Sequence, residues 1–119
     1  MDLARLILLR LETATSPIPA SAFSGEGYDV QTVAYHYHLL EQAGYITANL
    51  FRLEGRGAID GTAESLTWQG HEFLDAARND SVWHKTMAFV KEKGGSIPFD
   101  ILKGVLLKYS ATHFGLPGS

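Results

Sequence analysis

The residues able to do chemistry are few, and their spacing points to binding rather than catalysis. His36 and His38 stand two positions apart, so a helix turns them in different directions and they cannot share a metal. His71-Glu72 begins like a zinc-protease helix, but Asp75 occupies the place of the second histidine. His71 and Asp75 are spaced for an ordinary surface pair, and His84 and His113 stand alone. Gly55, Gly57 and Gly61 are followed by no Gly-Lys-Ser/Thr, so they do not form a phosphate loop. No serine lies in a G-x-S-x-G elbow. The absence of cysteine excludes disulfides, thiolate zinc sites, iron–sulfur clusters and cysteine nucleophiles together. The expectation is a non-enzymatic protein with no metal and no cofactor.

The polar pattern that remains lies on a helix predicted over 30–43. Asp29 is its N-cap and Gly44 its stop. Val30, Val33, Ala34, Tyr37 and Leu40 share one face of the wheel. Gln31, Tyr35, His38 and Gln42 share the opposite face, flanked by Thr32 and Leu39. Glutamine can pair with adenine edges, and a tyrosine hydroxyl can touch phosphate. The nearest cations along the chain are Arg52 and Arg56. Gln31, Tyr35, His38, Gln42, Arg52 and Arg56 are therefore the candidate contacts for DNA or for a protein partner.

The elements that position these residues follow from period and punctuation. A chain of 119 residues, 45% apolar and 19% charged, should fold as one domain. Leu3, Leu6, Ile7, Leu8, Leu9 and Leu11 predict a helix over 2–13, buried on most sides. Ser16-Pro17-Ile18-Pro19 ends it. Ala20 to Phe23 could form a short extended piece, with strand, turn and short helix all open for Ala20 to Ser24, and Gly25 and Gly27 mark a turn. Ile46–Leu53 and Glu64–Thr67 read as two strands, with a glycine-rich hairpin loop over 54–63. Thr67 caps a helix over 68–79 that buries Phe73, Leu74 and Ala77. A helix over 82–93 gathers Trp83, Thr86, Met87 and Val90, and Gly94-Gly95 stop it. Ser96 and Pro98 open a last helix that buries Ile101, Leu102, Val105, Leu106 and Tyr109. Trp68 and Trp83 are expected in the core. The fold class is mainly α with a small β-hairpin (α+β). Residues 1–80 form the core unit, and 81–119 form a C-terminal helical extension packed on it. No apolar stretch is long enough for a membrane span, and Met1-Asp2-Leu3-Ala4-Arg5 does not resemble a signal peptide, so a cytoplasmic location is expected.

The order helix, helix, hairpin, helix is the skeleton of a winged-helix domain. Tyr37-His38-Leu39-Leu40-Glu41-Gln42-Ala43-Gly44-Tyr45-Ile46 resembles the end of a recognition helix running into its wing. Leu66-Thr67-Trp68-Gln69-Gly70-His71-Glu72-Phe73-Leu74 resembles the exit from the last wing strand. The chain also resembles the family known as domain of unknown function number 2513. That resemblance rests on Val82-Trp83-His84-Lys85, on Lys93 through Lys103, on the N-terminal Met1 to Leu8, and on the step Gly27, Tyr28, Tyr35, His36. It covers nearly all of residues 1–113. It implies a winged-helix-like fold in short bacterial and phage-associated proteins, and no established activity. One departure stands out: with two prolines and a glycine, residues 16–25 do not read as the positioning helix of a helix-turn-helix.

Two functions fit this skeleton. The first is a DNA-linked regulator. Net charge is −3, and residues 11–77 hold only Arg52 and Arg56 as cations. A specific binder makes roughly 6–10 phosphate contacts, so any DNA binding here is weak and calls for a dimer. The second is a protein-interaction module, acting by homodimerisation or by docking on a partner in a phage or mobile-element setting. Tyr35, Leu39, Phe89, Leu107 and Phe114 are its expected exposed or off-face apolar groups.

Overall fold

A computed structural model of the chain describes residues 2–52, 59–95 and 97–113. It is an α+β fold, predominantly helical, with one small antiparallel sheet. The chain divides into two compact units, residues 1–71 and 72–119.

The first unit opens with α1 (Asp2–Thr13), whose Leu3, Ala4, Ile7, Leu8 and Leu11 are buried at the helical period. A two-residue strand, β1 (Ile18–Pro19), follows, and then a 3-10 helix over Ala20–Glu26. Of the conformations open to Ala20 to Ser24 (strand, turn or short helix), the chain takes the helix, and the extended residues lie just before it. Both prolines precede the helical turns, so neither removes a donor from them. Gly27 ends the segment with φ 88°, a left-handed conformation open to glycine. Phe23 and Ala20 are fully buried, and the Phe23 ring meets the Tyr37 ring edge-on, with centroids 6.5 Å apart.

Helix α2 (Val30–Gln42) forms as its pattern predicts, with Val33, Ala34, Tyr37 and Leu40 buried. The Tyr37 hydroxyl donates to the Ile18 carbonyl at 3.0 Å, which ties α2 to β1. Burial pushes the Tyr37 phenol well above its ordinary value, so it stays a donor. Gly44, with φ 82°, turns the chain into β2 (Ile46–Arg52). Strand β3 (Ile59–Leu66) begins five residues before the expected Glu64. Residues 59–63, expected in the loop, are therefore ladder: Ile59 pairs with Arg52, Gly61 with Leu50 and Ala63 with Ala48. Gly61 suits a strand because a Cβ there would lie 2.5 Å from the Asn49 carbonyl oxygen. The strand order is β1-β3-β2, so β1 also makes a third strand where two were expected.

Helix α3 (Trp68–Ala77) starts in the first unit and continues into the second. Thr67 caps it as expected, accepting from the Gly70 amide at 3.1 Å. Trp68, however, is 76% exposed, against the expectation of a core residue. It occupies the first position of the helix, where the chain has only just left the sheet.

In the second unit, Phe73, Leu74 and Ala77 are buried, and Phe73 meets Phe99 edge-on with centroids 6.0 Å apart. Helix α4 spans Asp80–Glu92, and Asn79 caps it by accepting from the Val82 amide at 3.0 Å. Val82, Trp83, Thr86 and Val90 are buried, while Met87 is half-buried. The buried Thr86 hydroxyl donates to the Val82 carbonyl, so it is satisfied within its own helix. Helix α5 spans Phe99–His113. Leu102 and Leu106 are buried as expected, but Ile101 is exposed and Val105 and Tyr109 are only half-buried. The buried stripe of α5 is thus narrower than its run of apolar residues suggests.

Candidate functional site

Helix α2 offers its polar flank to an open groove of about 830 Å3. One wall is Asp29, Gln31, Thr32, Tyr35 and His38, and the other is Leu50, Phe51, Arg52 and Ile59. Each wall has a local cause. The buried stripe of α2 faces inward, so the residues between its members face the groove. On the hairpin, period two turns Leu50 and Arg52 to one side, and the register sets Ile59 directly beside Arg52.

Of the candidate contacts, Gln31, Tyr35, His38 and Arg52 come together in this groove. Gln42 is exposed at the end of α2 and does not line it. Arg56 lies outside the described residues, as does Phe114. Tyr35, 53% exposed, stands open at the groove, while Phe51, 51% exposed, borders it on β2 and alternates to the other side of the strand from Leu50 and Arg52. Leu107 is exposed as expected, whereas Leu39 and Phe89 are half-buried. Lys93 lies 5.5 Å from the Phe89 ring, a cation–π contact.

The charge in the groove is balanced. Asp29 and Arg52 face it from opposite walls. The Asp29 carboxylate accepts from the Thr32 amide at 2.7 Å, and this hydrogen bond holds its pKa below the ordinary value. A lowered pKa means the cap stabilises the fold above the ordinary carboxylate range and is lost as the pH falls through the lowered value. Asp29→Ala should therefore lower the melting temperature at neutral pH. Melts in strong acid should bring variant and parent together; a gap that persists there would show that the cap acts otherwise.

Among the described residues, the remaining histidines do not assemble a centre. The His36 Nδ1 is 2.9 Å from the Thr32 carbonyl, and Asp75 pairs with Arg78 at 3.0 Å rather than with His71. Among the described residues no group of three or more His, Asp or Glu is placed to hold a metal ion. No helix among them is long and apolar enough to cross a membrane.

Reasoning from the sequence missed Asp29 and Thr32 as walls, and Leu50, Phe51 and Ile59 altogether. The α2 residues could have been found one turn around the wheel. The hairpin residues needed the register, which composition does not carry.

The chain is thus a small α+β fold with an open groove between helix α2 and the β2–β3 hairpin. The chain belongs to the family described as "Hypothetical protein (DUF2513)", which matches residues 1–96. The match ends inside the Lys93–Lys103 string. The chain is also similar to an uncharacterized protein of Haemophilus influenzae, 39% identical over 105 residues, covering 87% of this chain and 87% of that protein. No solved structure matches it.

Proposed function

We propose that the chain is a non-enzymatic winged-helix binding module, acting in the bacterial cytoplasm, whose α2 face contacts DNA. The convergence of Gln31, Tyr35, His38 and Arg52 on one open groove carries this reading. The element order supports it: the 3-10 helix stands before α2 where a helix-turn-helix has its positioning helix, and β2 and β3 stand where the wing does. On this reading Gln31 and His38 meet base edges, while the Tyr35 hydroxyl and Arg52 meet phosphates. The scarcity of cations makes the affinity low and the salt dependence shallow.

Anisotropy titration of labelled duplexes from the gene's own neighbourhood, at low and at physiological salt, tests the proposal. Arg52→Ala should weaken all sequences alike and reduce the salt slope by about 1. Gln31→Ala should instead erode the preference among sequences. Failure to bind any fragment at low salt would defeat the DNA reading.

A second reading, docking on a protein partner, draws on the composition of the same groove. Its open aromatic group, Tyr35, is of a type enriched in interface cores, and Phe51 is exposed on the adjoining strand. Residues 1–71 carry four arginines against eight carboxylates, which repels a phosphate backbone. A partner bound this way would hold on with little regard to salt.

A further inference from the structure

Among the described residues, strand β2 is an outer strand of the sheet, with β3 on one side only. Its free side can be identified. The Ala48 amide donates to the Glu41 carboxylate at 3.1 Å, so Ala48 faces away from β3. Backbone groups alternate along an antiparallel strand, so Leu50 and Arg52 turn their amides and carbonyls the same way. Natural edge strands are blunted by bulges or charges. Here the irregularity between Thr47 and Ala48, together with Glu41, protects the start of the strand. The stretch Asn49–Arg52 has no such cover among the described residues, and it bears the half-exposed Phe51.

We propose that this edge pairs with the same edge of a second copy of the chain, antiparallel, about a two-fold axis at Leu50. The two sheets then join into one of six strands. This register makes Leu50 a hydrogen-bonded pair with its own symmetry mate and sets Ala48 opposite Arg52 of the second copy. Ala48 and Arg52 project on the same side of the ladder, and the Glu41 carboxylate sits at the Ala48 amide. On pairing, the Ala48 amide passes from Glu41 to the Arg52 carbonyl of the second copy, which releases each Glu41 carboxylate to the guanidinium of the other copy, twice per dimer. On the opposite side the two Phe51 rings become diagonal neighbours across the axis and cover each other.

The neighbouring registers fit worse. An axis at Asn49 sets Arg52 against Ile46, which is 2% exposed and offers it no partner. An axis at Phe51 brings the two Arg52 side chains together as like charges. Complementarity thus selects both the occupant and the register. The proposal stands whether or not α2 contacts DNA; in the dimer Arg52 pairs with the Glu41 carboxylate of the second copy in place of a phosphate, and its test contains no DNA.

Analytical ultracentrifugation over a wide concentration range, with amide hydrogen exchange on the same samples, tests it. The expected result is a reversible dimer. Arg52→Glu and Glu41→Arg should each raise the dissociation constant by about tenfold, and the double reversal should return it to within about threefold of the parent. Glu41→Arg also removes the acceptor of the Ala48 amide, so the unmodified chain supplies a readout that needs no variant. Its Leu50 amide should exchange more slowly as concentration rises, while amides already paired to β3 should not respond. A strict monomer at high concentration overturns the proposal. So does a dimer indifferent to both single reversals, or a Leu50 amide whose exchange ignores concentration.

Discussion

Phe23→Ala is expected to cost about 3–5 kcal/mol, the range for emptying a buried aromatic site. The side chain is fully buried on the 3-10 helix, where Ala20 is the other buried residue. Its ring packs edge-on against Tyr37, with planes 74° apart, and the Arg10 guanidinium lies 4.8 Å above it. Arg10 also pairs with Glu26 at the other end of the same helix. Truncation leaves a cavity between the 3-10 helix and α2 and strips Arg10 of its aromatic contact. Small domains have about 5–15 kcal/mol of stability in all, so the loss is a large share of it. Urea unfolding should show a lower midpoint with an unchanged slope. The groove should suffer too, because Tyr37 lies on the same helix as Gln31, Tyr35 and His38. A loss under about 1 kcal/mol would mean that Phe23 is not the anchor of this segment.

What the sequence revealed depended on the length of the pattern available to read. Helix α1 and helix α2 each repeat their apolar stripe over three turns; α1 appears with the expected ends, and α2 ends one residue early, at Gln42. Strand β1 has two residues, too few for any period, and Pro19 within it reads as a breaker although an outer strand tolerates proline. The first half of β3, Ile59-Asp60-Gly61-Thr62-Ala63, has the composition of a turn. It is a strand because Gly61 admits the close approach of Asn49, which is a tertiary reason. Trp68 and Ile101 mislead for a related cause: hydrophobicity says that burial is favourable, not that a neighbour is present to provide it. The candidate site divides along the same line. Its helical wall follows from the 3.6-residue period, while its hairpin wall depends on a register that begins five residues earlier than the turn signals suggest.

Gly70→Ala is expected to cost about 3 kcal/mol, although alanine is intrinsically the better helix former by about 1 kcal/mol. Gly70 is buried in the first turn of α3. A Cβ there would fall on the Tyr45 carbonyl oxygen, with the Tyr45 carbonyl carbon at 2.9 Å and its Cα at 3.3 Å. The obstacle is backbone, so no side-chain rotation relieves it. The start of α3 must instead retreat from the start of β2. That movement strains the bonds joining them: the Thr67 amide to the Tyr45 carbonyl at 3.0 Å, and the Thr67 hydroxyl to the Gly44 carbonyl. The glycine in the Leu66-Thr67-Trp68-Gln69-Gly70 string is thus a packing requirement of the junction between hairpin and helix. Gly104→Ala is the matched control, since Gly104 is an exposed position of α5 with nothing within 4 Å of an added Cβ. It should gain up to about 1 kcal/mol from helix propensity. Thermal melts of the two variants should therefore move in opposite directions from the parent. Were Gly70→Ala to melt as high as Gly104→Ala, α3 could not be seated on Tyr45, and the hairpin would lose the contact that fixes its base beside α2.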